Sequence, residues 1–164
     1  DDMFGESAGF HVRNAWRAFS RALKELPFHI GVLYRAPQNV GPRNLLYAEP
    51  TGYSATMVGI PYDDLDGWRG IYPSDVFEKQ WWKLSEGWEE GRLLLRQAAP
   101  QVLPEAKNAY REMCRVVDAA YCHFRSTYLQ TAFVRQRDEP SAETSVDETR
   151  ALLREERKWR PTAA

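Results

Sequence analysis

Asp63, Asp64 and Asp66 lie within four residues of one another in the stretch GIPYDDLDGWRGIYP, residues 59–73, with Tyr62, Trp68 and Arg69 beside them. Carboxylate pairs flanked by aromatic rings are the equipment of glycoside hydrolysis. One acid protonates the leaving oxygen while the other acts as nucleophile or base, at roughly 5–5.5 Å for retention and 6.5–9.5 Å for inversion. Asp66-Gly67 is equally a turn signature, and Asp63-Asp64 an ordinary exposed pair. The spacing leaves three readings open: catalysis, contact with a ligand or interface, and turn structure.

A second set of polar groups precedes it in PFHIGVLYRAPQNVGPRNLLY, residues 27–47. Tyr34, Gln38, Asn39 and Asn44 place amides beside rings, which suits the hydroxyls and apolar face of a pyranose and suits a protein interface equally well. His29 begins this segment and is the one histidine expected to contact a ligand, because loops on a rigid scaffold carry function more often than helix faces. His11 and His123 fall in helical patterns. No nucleophile elbow, phosphate-binding glycine loop, H-E-x-x-H or paired C-x-x-C is present, so the 164 residues do not read as a self-contained enzyme of a familiar motif class. The expected ligand set is therefore His29, Tyr34, Gln38, Asn39, Asn44, Tyr62, Asp63, Asp64, Asp66, Trp68 and Arg69, with no catalytic residue assigned.

Composition narrows the classes. The net charge is −1 with bases dispersed among acids, so neither nucleic acid nor an anionic membrane is an expected partner. No apolar run is long enough to span a bilayer, and no secretory signal opens the chain. A cytoplasmic location is the default this leaves. Cys114 and Cys122 sit in one helical pattern about 12 Å apart along its axis, too far for a disulfide. They are expected to be buried, apolar thiols. No metal or cofactor is expected. Aromatic residues reach 13%, including six tryptophans, so some rings are expected at a groove or an interface.

The elements that must hold these residues are mainly helical. Val12, Trp16, Phe19, Leu23 and Leu26 form an amphipathic stripe over residues 10–26, with Ser7 the expected cap and Pro27 the stop. Residues 28–73 lose that period and contain five prolines and six glycines, which excludes a long helix. FHIGVLY and YSATMVGI are candidate strands of a two-stranded element. The rest of this insert, rich in Tyr34, Leu45, Leu46, Tyr47, Tyr53, Met57, Ile60, Leu65, Trp68, Ile71 and Tyr72, is expected to pack down. Ser74 is the expected cap of a helix whose stripe runs Phe77, Trp81, Leu84, Trp88, Leu95 and Ala98. Gly87 and Gly91 inside it call for a close neighbour. A helix of some 33 residues follows from Ala106, antiparallel to the one before it because the connection APQVLPE is short. A polar connector over 139–146 leads to a charged helix, Asp147 to Trp159, with Leu152 and Leu153 as apolar anchors. The whole reads as one helical module, an antiparallel bundle with an irregular insert. Asp1-Asp2-Met3 is not a natural initiation, and KWRPTAA follows an uncapped helix, so the module is expected to belong to a longer, multidomain protein.

AWRAFSRALKELPFHIGVLYRAPQNVGPRNLLY, TGYSATMVGIPYDDLDGWRGIYPSDVFEKQWWKLSEGWEEGRLLL and ETRALLREERKW together resemble the C-terminal helical region of large bacterial proteins of the glycoside-hydrolase type. In that group a (β/α)8 barrel precedes such a region. The resemblance implies an accessory module packed on a catalytic barrel, of the same protein or of a homologous subunit, with the catalytic acids mostly on the barrel and carbohydrate as a further partner. The alternative is a helical interaction or oligomerisation module without catalysis, joined through Trp81, Trp88 and the GWEEG face.

Overall fold

The computed structural model describes residues 3–140 and 146–159. Among them the chain is mainly α-helical, with six packed α-helices and no strand. The helices are α1 (Glu6–Ala22), α2 (Ile30–Arg35), α3 (Leu65–Arg69), α4 (Ser74–Gln97), α5 (Lys107–Asp138) and α6 (Val146–Trp159). The chain divides into two compact units, residues 1–26 with 83–121 and residues 27–82 with 122–164.

In the first unit α1 packs on the C-terminal part of α4. Its buried face is Ala8, Val12, Ala15, Ala18, Phe19 and Ala22, while Trp16 and Leu23 of the expected stripe are largely exposed. The reason lies in the partner. A Cβ at Gly87 would stand 2.9 Å from that of Ala22, and one at Gly91 2.2 Å from the Phe19 ring, so the two glycines let a small-residue face come close. The tryptophans of the GWEEG alternative are not a surface: Trp88 is buried and lies 4.4 Å, ring to ring, from Phe19. Gly5 precedes α1 at φ 85 and no side chain caps it, so Ser7 is inside the helix and not its cap. The later half of α4 runs antiparallel to the first half of α5, as Trp88 Nε1 donates to the Val117 carbonyl at 3.0 Å and the Tyr110 hydroxyl to that of Leu95 at 2.8 Å. Arg92 lies over the Tyr121 ring and bonds Asp118 at 2.8 Å.

In the second unit the first half of α4 buries Phe77 and Trp81, and Trp81 stacks near Phe124 of α5. Arg135 of α5 pairs with Glu78 of α4, which again makes the two helices antiparallel. Ser74 opens α4, but its hydroxyl donates to Glu139 at 2.7 Å and caps nothing. The end of α5 is enclosed: Ser126, Thr127, Leu129, Gln130, Thr131, Ala132, Phe133 and Val134 are all buried. α6 runs antiparallel along it through Thr149 to Gln136, Glu155 to Arg125 and Glu156 to Ser126. Leu152 and Leu153, its expected anchors, are only half-buried, and the buried residue is Glu156. Part of the expected connector, residues 141–145, lies outside the described residues.

The irregular insert departs most from expectation. FHIGVLY contains α2, and YSATMVGI is a loop with a turn, so the two-stranded element does not exist. A strand pair needs matched ladder groups. Here His29 instead caps a helix, its Nδ1 accepting from the Gly31 amide at 3.1 Å. Apolar side chains pack the insert down only in part. Val32, Ala36, Leu65 and Trp68 are buried, whereas Tyr34, Leu45, Tyr53, Met57, Ile60 and Ile71 are exposed. Polar groups hold the rest. Neither cysteine is in a disulfide, and both are half-buried, more open than expected.

Candidate functional site

All eleven expected ligand residues fall in the second unit. Their polar atoms are largely committed to the chain itself. Asp63, 5% exposed, accepts from the Thr51 amide at 3.1 Å, from the Thr51 hydroxyl, and from Arg137 at 2.8 Å. Arg137 also donates to the Tyr47 carbonyl at 3.0 Å and to Asp138, so one guanidinium at the end of α5 ties down both ends of the loop. Asp64 caps α3, accepting from Gly67 N at 2.9 Å and from Ala55 N at 2.7 Å. Gly67 is required there, because a Cβ would stand 2.3 Å from an Asp64 oxygen. Asp66 is exposed and pairs with Arg69 one turn on, at 2.7 Å. Arg69 also donates to the Tyr72 carbonyl.

The aromatic and amide members behave the same way. Trp68 is fully buried, with its indole N–H donating to the Pro61 carbonyl at 2.6 Å. Tyr62 takes a left-handed backbone, φ 50, and its ring lies 5.3 Å from that of Tyr53. A non-glycine residue there is strained enough to need surrounding support. Asn44 supplies it, donating to the Tyr62 carbonyl at 2.7 Å and to Gln130 Oε1 at 2.8 Å. Gln130 passes the chain of bonds on to the Gly41 carbonyl and to Ser126, and Ser126 donates to Glu156 at 2.7 Å. Gln38 donates to the Val32 carbonyl and Asn39 to that of Ala36. His29 packs its ring on Gly70, where a Cβ would meet Nδ1 at 2.6 Å. Of the eleven, Tyr34 alone is an exposed ring at the surface of a helix.

The electrostatics of Asp63 run against a general acid. Burial pushes its carboxyl up, but the hydroxyl and amide of Thr51 and the guanidinium of Arg137 outweigh it and hold the group below the ordinary aspartate value. A glycosidase acid needs the opposite displacement. Asp63, Asp64, Asp66 and Tyr53 border a hollow of about 220 Å3, below the roughly 300–1,000 Å3 of usual ligand sites. Among the described residues no three His, Cys, Asp or Glu are grouped to hold a metal, and no helix is long and apolar enough to cross a membrane.

The larger space is elsewhere, a cleft of about 760 Å3 between the end of α5, residues 46–48 and α6. Phe133, Leu46, Ala48 and Leu153 give it apolar walls, and Arg137, Arg150, Arg154 and Arg157, with the buried Glu156, give it charge. The sequence signal for it is the arginine spacing of four and three on α6, legible only once Leu153 is known to face Phe133's helix. Comparison of the chain with protein-family models, with curated proteins and with solved structures finds no match.

Proposed function

We propose that the chain is a non-catalytic, accessory helical module that docks on a partner protein through the apolar side chains of its Gly/Pro-rich insert. One observation carries this reading: Asn44 and Asp63 of the insert turn inward, while Phe28, Ile30, Tyr34, Met57, Val58 and Ile71 stand in solvent, Val58 at 85% exposure. Single exposed apolar residues are ordinary, but a cluster is the usual mark of an interaction surface. Phe28 and Ile71 are brought together because the Tyr72 hydroxyl donates to the Phe28 carbonyl and His29 seats on Gly70.

The resemblance in sequence supplies the partner class, a glycoside-hydrolase barrel of the same protein or of a homologous subunit. Within this reading sugar contact falls to Tyr34 and the Tyr53–Tyr62 ring pair, since the aspartates and amides are already bonded. The oligomerisation alternative acts through the same insert, because Trp81 and Trp88 are buried.

Hydrogen exchange over residues 28–71 tests the docking, measured on the 164-residue chain and on the longest natural form of the polypeptide. Extra protection at 28–34 and 53–71 in the longer form is the expected result, and unchanged exchange there would refute it. A chromogenic glycosidase screen on the isolated chain is expected to be silent; turnover would overturn the non-catalytic reading. Sedimentation velocity across concentrations separates the alternative, which requires self-association lost in Phe28→Ser/Ile71→Ser.

A further inference from the structure

The 760 Å3 cleft has an unusual division of charge. Of the acids of α6, Glu155 binds Arg125 at 2.6 Å outside the cleft, while Glu156 borders the cleft but is 2% exposed and accepts from Ser126 at 2.7 Å and more weakly from Gln130 at 3.4 Å. The arginines line it. Arg137 is already bonded to Asp63 and Asp138, and Arg150 lies 3.5 Å from Asp147 with both side chains largely in water, where such a pair is worth little. Arg154 and Arg157 have no ion-pair partner among the described residues and stand one helical turn apart, where like charges repel. Beside them Phe133, Leu153 and Leu46 form an apolar wall.

We infer that this cleft binds a small organic anion, a phosphate monoester or carboxylate on Arg154 and Arg157 whose ring-sized apolar body lies on Phe133, Leu153 and Leu46. Guanidinium forks match both oxyanions with paired, charge-assisted bonds. An inorganic anion would engage the arginines and leave the apolar wall wet. A neutral ring would cover the wall and leave two cations facing each other. The volume lies in the usual range for small-molecule sites, roughly 300–1,000 Å3. The inference does not rest on the docking reading, although Leu46 belongs to the same insert.

The test is a titration of the 164-residue chain at low ionic strength with phenyl phosphate and with benzoate, read by calorimetry and by backbone amide shifts. Inorganic phosphate and phenol form separate arms. Saturable binding of at least one organic anion is expected, at least tenfold tighter than either separate part, with shifts at Phe133 and Leu153. Arg154→Ala/Arg157→Ala should weaken it at least tenfold, and added salt should weaken it too. Both arginines are exposed, so the variant should keep its helical circular dichroism. Arg111→Ala/Arg115→Ala, exposed positions of α5 that do not line the cleft, should leave binding unchanged. No saturation, equal affinity for inorganic phosphate, or an unaffected double variant would each overturn the inference.

Discussion

Replacing Asp63 by asparagine removes a charge and almost no volume, which makes it the cleanest probe of why the aspartates are there. The carboxylate is 2% exposed and its Arg137 partner 9%, so water cannot stand in for the lost charge. Asparagine keeps one acceptor oxygen and turns an amide NH2 toward donors that are already in place, the Thr51 amide and hydroxyl and the Arg137 guanidinium. Breaking one side of a buried ion pair costs about 3–5 kcal/mol. Arg137 keeps Asp138 at 2.6 Å, which argues for the lower end, about 3 kcal/mol. At about 2–4 °C per kcal/mol for a chain of this size, the melting temperature should fall by about 6–12 °C. The transition is best followed by tryptophan fluorescence and by exchange of the Thr51 and Ala55 amides, which belong to the same unit as Asp63. A double-mutant cycle with Arg137→Gln should return a coupling of about 1–3 kcal/mol. A loss below about 0.5 kcal/mol, the level of an ordinary surface change, would refute the structural role and return Asp63 to the list of functional acids.

The same pair sets a pH dependence, since the folded-state value of Asp63 is depressed. Its contribution is fully present above the unfolded aspartate value of about 3.9 and is lost as pH falls through the lower folded value. The stability gap between wild type and Asp63→Asn should therefore be constant from about pH 5 to 7 and close in acid below about pH 4, read by urea unfolding at each pH. Gly91→Ala should destabilise by about 1–2 kcal/mol in thermal unfolding. The overpacking against Phe19 costs roughly 1–3 kcal/mol and exceeds the gain of about 1 kcal/mol in helix propensity. Asn44→Leu should cost about 2–6 kcal/mol, because the Tyr62 carbonyl and Gln130 Oε1 both lose a donor at about 1–3 kcal/mol each; unchanged stability would remove the network from the account. Trp68→Ala should cost about 3–5 kcal/mol and leave the Pro61 carbonyl bare, which differential calorimetry would register as a lower melting temperature.

The long helices were legible because their apolar positions repeat. Phe77, Trp81, Leu84, Trp88, Leu95 and Ala98 are all buried, as the period of α4 demands. α1 was legible in extent but not in facing: the stripe through Trp16 and Leu23 looked stronger than the alanine face, and only the close approach at Gly87 and Gly91 makes alanine the better neighbour. Periodicity carries no information on such mutual fits. The insert is legible only in part for a related reason. Its apolar residues suggest packing, and Val32, Ala36, Leu65 and Trp68 do pack, yet the segment is also held by Asp63, Asp64, Asn44 and Trp68 reaching backbone groups many positions away, and long-range partners such as Arg137 and Gln130 leave no local trace. The three readings of the aspartate cluster, catalysis, ligand or interface contact and turn structure, can be weighed only against those bonds.

Glu156 has a consequence for how α6 is seated. A helix fastened by alkyl groups alone can slide by a turn, 5.4 Å, at modest cost, because one leucine resembles the next. Here a single acceptor meets the Ser126 hydroxyl. Displacement by one turn would set Leu152 or Leu153 under that donor, and neither can accept a proton. The helix has one home position, as a key has one set of notches. The angular phase of Arg150, Arg154 and Arg157 over Phe133 is thereby indexed from beneath, by a residue that is itself almost wholly buried.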